Sequence, residues 1–358
     1  MATCLYCTNS GSSVEHPLPA AFGEFQNAPV LVDRICRQCN NTRLGLLDEQ
    51  FARCGPEAVM RRFHGIKGRD SHEPVNPHYR GSAGGRRLRM KGYDSAMGME
   101  VELEIVQKGQ VRQSCQMVVI DPDGKAHHLP ITTDLRDPAK LRASFRALGV
   151  AQPADVRLIY DPSEREWLEP LIKAAWPAAS FSEKGLGATN YEGAVVELQL
   201  TDRYFREMAK IGFHYFLTQF PEYSGWEPCF ADIRSFIVDD GGGGLDRVNR
   251  FVGVRSQPLL TPMMDGGRPD GWMAHVLCTE IRDDEILAHM EFFVSPHYRS
   301  VVYTVKIGKN DSAAPLAATG HIYRYFVEGP VGKFAGEARP LIVTRRAEGV
   351  PLKPAIAR

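Results

Sequence analysis

No run of apolar residues in this 358-residue chain approaches the ~18 needed for a membrane-crossing helix, so no membrane partner is expected. The opening Met1-Ala2-Thr3-Cys4 has no basic stretch ahead of an apolar one, which argues against a secretory leader and for a cytoplasmic location. There is no net charge to read either: 43 Lys+Arg balance 43 Asp+Glu. No GxSxG is present, so the nucleophile turn of an α/β-hydrolase is unsupported. Gly329 to Lys333 looks superficially like a phosphate loop, but Phe334 stands where a hydroxyl is needed. Gly241 to Gly244 lacks the flanking strand and helix of a phosphate cradle and reads as a hinge. The adjacent His127 and His128 would point to opposite faces of a strand, which excludes them as a metal pair. Internal repeats and coiled-coil heptads are also missing.

What remains is ordinary globular composition, 43% hydrophobic and 24% charged, in a length that suits two or three domains. The charge is unevenly spread. Residues 61–92 carry nine basic side chains, Arg61, Arg62, Lys67, Arg69, Arg80, Arg86, Arg87, Arg89 and Lys91, against only Asp70 and Glu73. Such a segment fits a phosphate-binding arm, here Arg61, Arg62, Lys67, Arg69, Arg86, Arg87 and Arg89, and equally a solvated linker.

Residues 64–98 are rich in Gly, Pro, His and Arg and read as the linker between residues 1–63 and 99–358, with a further subdivision near 190. Before it, Leu44, Leu47, Phe51 and Cys54 share one helical face from Thr42 onward, and Gly55-Pro56 breaks that helix and starts a second, to about Phe63. After it, strands are expected at Val101–Ile105, Met117–Ile120, Val156–Tyr160 and Val195–Leu200, and helices at Asp137–Leu148 and Ser163–Ala175. Asp202 to Gln219 is the most apolar helix and reads as a core element, with His214 a core or interface histidine. Strands follow at Ala274–Leu277, Glu291–Val294 and Ser300–Lys306, and the last ~20 residues read as frayed. Trp226 and Trp272 have the chemistry to stack on bases, but buried tryptophans are commoner.

Of eight cysteines, four form two Cys-x2-Cys pairs, Cys4/Cys7 and Cys36/Cys39, separated by 28 residues. Two such turns place four thiolates around one tetrahedral Zn²⁺. Between them lies Glu15-His16, and Asn40 directly follows the last cysteine. Phosphodiester hydrolysis needs a base near neutral pH, which His supplies, and a hard cation for the oxyanion. Glu and Asn oxygens suit Mg²⁺ or Mn²⁺.

The run Cys4-Leu5-Tyr6-Cys7, Glu15-His16-Pro17-Leu18-Pro19-Ala20-Ala21-Phe22-Gly23, Ile35-Cys36-Arg37-Gln38-Cys39-Asn40-Asn41 resembles an HNH endonuclease. The resemblance covers residues 1–55. It implies an α+β protein: an N-terminal zinc-stapled ββα-metal module followed by a larger mixed α/β domain. It assigns Glu15 and Asn40 to the catalytic divalent metal and His16 as general base; the expected partner is nucleic acid, DNA ahead of RNA. Many relatives have Asp at the position of Glu15, and Leu31 stands where the family's middle Asn orients the histidine, leaving Asn27, Asp33 or a backbone carbonyl for that task. A Lys or His shortly after the Cys-Asn pair is also absent, with Asn41 and Arg43 the nearest polar residues. Residues 99–358 are then expected to supply targeting, homodimerisation, or control by a protein or small-molecule effector, as in a phage-defence or restriction nuclease. The alternative is a non-catalytic, zinc-containing nucleic-acid-binding adaptor.

Overall fold

The computed structural model describes residues 2–67, 76–78, 88–95, 98–105, 111–131, 135–160, 165–177, 180–185, 191–197, 200–239, 244–256, 259, 273–295, 301–310, 318–325 and 335–342. At its centre runs the helix Asp202–Gln219, 13 of whose 18 residues are buried. Its aromatic and aliphatic side chains pack on both sides: against the helices Gly45–Cys54, Ala231–Val238 and Gly244–Phe251, and against a seven-stranded sheet. Helix and sheet approach closely at Gly212, where a Cβ would stand 3.0 Å from Ala288 Cβ.

The sheet runs in the order Val252–Arg255, Val302–Lys309, Glu285–Val294, Ala274–Arg282, Thr319–Tyr325, Ala335–Ile342, Glu24–Gln26. All neighbours are antiparallel except the last pair. The two long central strands are joined by Asp283-Asp284, both at positive φ (49° and 69°), the backbone of a tight hairpin that matches the twist of its strands. Because Asp-Asp is a weaker turn signal than Asn-Gly, the sequence shows only the apolar parts of these strands, Ala274–Leu277 and Glu291–Val294.

The edge strand Glu24–Gln26 comes from the N-terminal module, which is therefore built into the C-terminal sheet rather than standing apart on a linker. A buried relay reinforces the joint. The Phe293 N–H donates to His275 Nδ1 (3.1 Å), His275 Nε2 faces the Tyr325 hydroxyl (2.6 Å), and that hydroxyl donates to the Phe22 carbonyl. Burial holds His275 down at about 3, in its neutral form.

Residues 88–197 form an insert between these two halves. The chain leaves the module, forms Arg89–Asp94, and returns in Tyr191–Glu197 as its antiparallel neighbour. The segment expected to be linker up to residue 98 thus contains a strand. Those strands belong to a four-stranded sheet with Met99–Ile105 and Val111–Gln113. A second four-stranded sheet, Ser180–Gly185, Asp155–Tyr160, Gln116–Ile120, Ala126–Pro130, packs on the helices Pro138–Ala147 and Arg165–Ala175 around Phe145, Ile172 and Val156. Asp155–Tyr160, Arg165–Ala175 and Ser180–Gly185 form a parallel strand–helix–strand unit. The Gly241–Gly243 part of the expected hinge, Trp272, the Gly329–Lys333 loop and residues 343–358 lie outside the described residues.

The module is also fastened through Glu57, on the helix Pro56–His64. Its carboxyl is buried between the hydroxyls of Tyr204 (2.8 Å) and Tyr303 (3.1 Å), which touch each other at 2.6 Å. Gly55 permits this, because a Cβ there would sit 2.4 Å from the Tyr204 ring. Burial raises the Glu57 carboxyl from 4.5 to about 7, outweighing the tyrosine hydrogen bonds. Between those two values the folded chain holds a proton that the unfolded chain has lost. Stability present below pH 4.5 is therefore lost as the pH rises to about 7, by about 3 kcal/mol. Glu57→Gln should flatten this slope, so urea unfolding at several pH values should show wild type falling relative to the variant across that window.

Candidate metal centre and active site

The four sulfur atoms of Cys4, Cys7, Cys36 and Cys39 lie within 4.8 Å of one another. Tetrahedral zinc with ~2.3 Å bonds to sulfur needs sulfurs ~3.8 Å apart, and Cys7 Sγ to Cys36 Sγ is already 3.5 Å. Backbone N–H groups point at the sulfurs: that of Cys36 at Cys4 Sγ (3.3 Å) and that of Cys39 at Cys36 Sγ (3.4 Å). The second of these makes Cys36 the N-cap of a helical run that starts at Arg37, five residues earlier than the apolar periodicity suggests. Burial opposes ionisation of Cys36, yet the Cys39 N–H and the neighbouring thiols hold it down at about 6. These cysteines can hold a structural metal such as zinc. Four protein ligands leave no open coordination position, so chemistry must come from elsewhere.

Between the cysteine pairs, Val14–Glu15 pairs antiparallel with Leu31–Val32, with Glu15 opposite Leu31. This short ribbon and the helical run after Cys36 form a strand–strand–helix unit around the cysteines. Alternation along the strand turns Glu15 inward, 6% exposed, and leaves His16 on the outside. Asn40, half-buried, lies one residue past the last cysteine where helix Arg37–Cys39 continues into a π-helical turn. Among the described residues, no hydrogen bond joins Glu15, His16 and Asn40 to one another; the structure places them on neighbouring elements of one staple.

Glu15 instead meets the central helix. Its Oε1 is 3.0 Å from Lys210 Nζ and 3.6 Å from His214 Nδ1. Lys210, fully buried, also touches Asp48 Oδ1 (2.5 Å) and Glu207 Oε1 (3.3 Å). His214 Nε2 lies 2.7 Å from the Tyr6 hydroxyl, within the first cysteine turn. Burial alone would raise the Glu15 carboxyl, but the Lys210 ammonium, helped by His214, brings it down to about 2. Glu207 goes the other way: burial and the nearby Asp48 charge push it well above the usual carboxylate range. Burial lowers His214, so its imidazole is neutral.

Sequence reading missed Glu207, Lys210 and Asp48. Glu207 and Lys210 are three apart and His214 four further on, which puts them on one stripe of an otherwise apolar helix, a signal visible in hindsight. Asp48, in the first turn of Gly45–Cys54, carries no such mark.

The basic segment divides. Arg61 is not a surface cation: it is 3% exposed, donates to the Ala52 carbonyl at 2.6 Å, and burial lowers it to about 10. Arg89 lies in a strand and pairs with Glu102 at 2.8 Å. Those two serve the fold because burial and an acidic neighbour hold them there. Arg62 and Lys67 are half-buried, the former near the Ile105 carbonyl (3.4 Å). Arg69, Arg86 and Arg87 lie outside the described residues. Trp226 is 44% exposed, carries Arg234 at 4.0 Å from its ring, and directs its indole toward Thr3 beside the first cysteine pair.

Comparison with family models, with curated proteins and with solved structures returns no match for this chain. Cys36→Ser should lower the bound metal from one ion per chain to near none by atomic absorption. Because binding at structural zinc sites is worth on the order of 10 kcal/mol, melting should shift sharply downward, as it should on chelation of the wild type.

Proposed function

We propose that residues 1–63 form a zinc-stapled nuclease module of the HNH type that hydrolyses phosphodiester bonds, with DNA as substrate. The observation that carries this reading is the strand–strand–helix unit around four clustered cysteines, with His16 exposed beside an ionised Glu15. An exposed imidazole can take a proton from water near neutral pH. The oxygen of that water then bonds to phosphorus as the bond to the 3′ oxygen breaks, leaving a 5′ phosphate. Glu15 and Asn40 are the residues to hold Mg²⁺ or Mn²⁺, through carboxylate and amide oxygens of the kind that suit a hard cation. A divalent ion there would stabilise charge on the phosphoryl oxygens and the leaving oxygen.

Supporting residues surround the module. Lys67 and Arg62 would meet backbone phosphates, and the exposed Trp226 with its stacked Arg234 offers a surface for a base. The insert 88–197 would supply target selection, dimer contacts or control, the role expected of the additional domains of a defence or restriction nuclease. One observation favours a second reading: Lys210 occupies the Glu15 carboxylate, as it would in a non-catalytic nucleic-acid adaptor whose buried charges only hold the fold.

Plasmid nicking by zinc-loaded protein with Mg²⁺ or Mn²⁺ separates the two. His16→Ala should lower nicking by a factor on the order of 10² or more with zinc content unchanged. Equal inactivity of both proteins, with DNA binding intact, would establish the adaptor.

A further inference from the structure

Trp226 leaves its ring 44% exposed on a backbone that is tied down from several sides. The Arg34 guanidinium donates to the carbonyls of Pro221 (3.2 Å), Tyr223 (3.1 Å) and Ser224 (2.7 Å). The Glu227 carboxylate accepts from the Ser224 and Gly225 N–H groups, both at 2.8 Å, and the Trp226 N–H donates to Ser224 Oγ at 3.0 Å. Gly225, at φ 84°, lies so close to the first cysteine turn that a Cβ would stand 2.5 Å from Leu5 Cδ2. A turn held this firmly, with its largest side chain left in water, gains the fold little from that ring and instead presents it. Arg234 lies 4.0 Å from the ring centroid and covers one face. Its Nη1, buried there, has no hydrogen-bond partner among the described residues. The exposure therefore belongs to the other face and the rim of the indole.

We infer that the Trp226–Arg234 pair seats an unpaired nucleobase, so that the substrate of the module is a DNA strand with at least one base out of the duplex. The inference rests on the nuclease reading for its consequence. Inside an intact duplex both faces of every base are covered by its neighbours, so only an unpaired base has a face to lay on the indole. Guanidinium, indole and base then form one stack, to which Arg234 adds its cation–π attraction. A base also brings carbonyl oxygens and ring nitrogens, the acceptors that Arg234 lacks. The seat is close to the candidate base. The indole N–H points at the Thr3 carbonyl (3.5 Å), Thr3 bridges Ser10, and Ser10 is six residues ahead of His16, at most ~20 Å of extended chain. A single strand of a few nucleotides covers that distance, within the ~4–16 nucleotides of such sites. Glu222 and Asp232 are exposed on the same stretch of chain, and Glu227 is engaged by the turn. Attraction to phosphate is therefore not what the pair adds. Stacking is, and stacking releases no counterions.

The test is binding by the full zinc-loaded chain without Mg²⁺ or Mn²⁺, so that no strand is cut. The probes are a single-stranded DNA of about 16 nucleotides and the same sequence as a duplex, followed by fluorescence anisotropy. Trp226→Ala should weaken single-strand binding roughly 5- to 100-fold, the range of one base–aromatic stack, by the same factor at low and high salt, and leave duplex binding within about twofold. Trp226→Phe keeps a stacking ring and should recover most of the loss, with zinc content in both variants equal to that of wild type. Unchanged single-strand affinity in Trp226→Ala would overturn the inference and leave the ring to a protein partner. An equal loss on the duplex, or a loss that salt removes, would overturn it too. Should Trp226→Ala fail to fold, tryptophan fluorescence decides: the single strand should quench wild type but not Trp226→Phe, and any other pattern overturns the inference. Plasmid nicking with Mg²⁺ or Mn²⁺ separates the two ideas. A single-strand preference that depends on Trp226, with no nicking by wild type, keeps the base seat and removes the nuclease. Nicking by wild type, with single-strand affinity unchanged in Trp226→Ala, removes the seat and keeps the nuclease.

Discussion

A lysine ammonium with no solvent exposure must be neutralised from within, and that requirement organises this protein. An isolated buried charge costs many kcal/mol, so every element that packs around Lys210 has to bring an acceptor or leave room for one. Glu15 arrives from the ribbon between the cysteine pairs, Asp48 from the following helix, and Glu207 from the same helix as the lysine. The interface between the N-terminal module and the rest of the chain is therefore polar at its heart and apolar around it, with Phe22, Phe51 and Phe292 packed nearby. Matched charge of this kind fixes register, because sliding the central helix by one turn would remove the ammonium from the Glu15 and Asp48 carboxyls at once.

What could be read in the sequence was what is local. Cys4/Cys7 and Cys36/Cys39 are legible because the chemistry of one metal shell dictates the spacing of each pair. The helices Gly45–Cys54, Pro138–Ala147 and Asp202–Gln219 are legible because an apolar stripe repeats along each. The centre of the molecule was not. Lys210 and Asp48 are 162 residues apart, and neither suggests the other until the fold brings them to 2.5 Å. Arg61 looked like one of a row of surface cations, and only packing on Phe22 and the Ala52 carbonyl shows it to be interior. The three-residue strand Glu24–Gln26 is too short to show a period.

The course of the chain between its two halves was not legible for a related reason. Composition marks residues 64–98 as different, but it does not say which flanking parts reunite. The strands Arg89–Asp94 and Tyr191–Glu197 lie side by side, so the stretch between them begins and ends at one place. An insertion with adjoining ends disturbs its host little, which lets residues 2–67 and 200–342 share one core across it.

The strand Glu24–Gln26 has a further consequence in time rather than space. It leaves the ribosome about 310 residues ahead of its partner Ala335–Ile342. Closing so long a loop is entropically costly and slow, and it comes after the insert has had time to fold by itself. The cysteine staple can form early, but the edge that anchors it to the sheet is completed last. Until that final strand is made, the N-terminal module lacks its edge in the sheet, so every incomplete copy of the chain holds it more loosely.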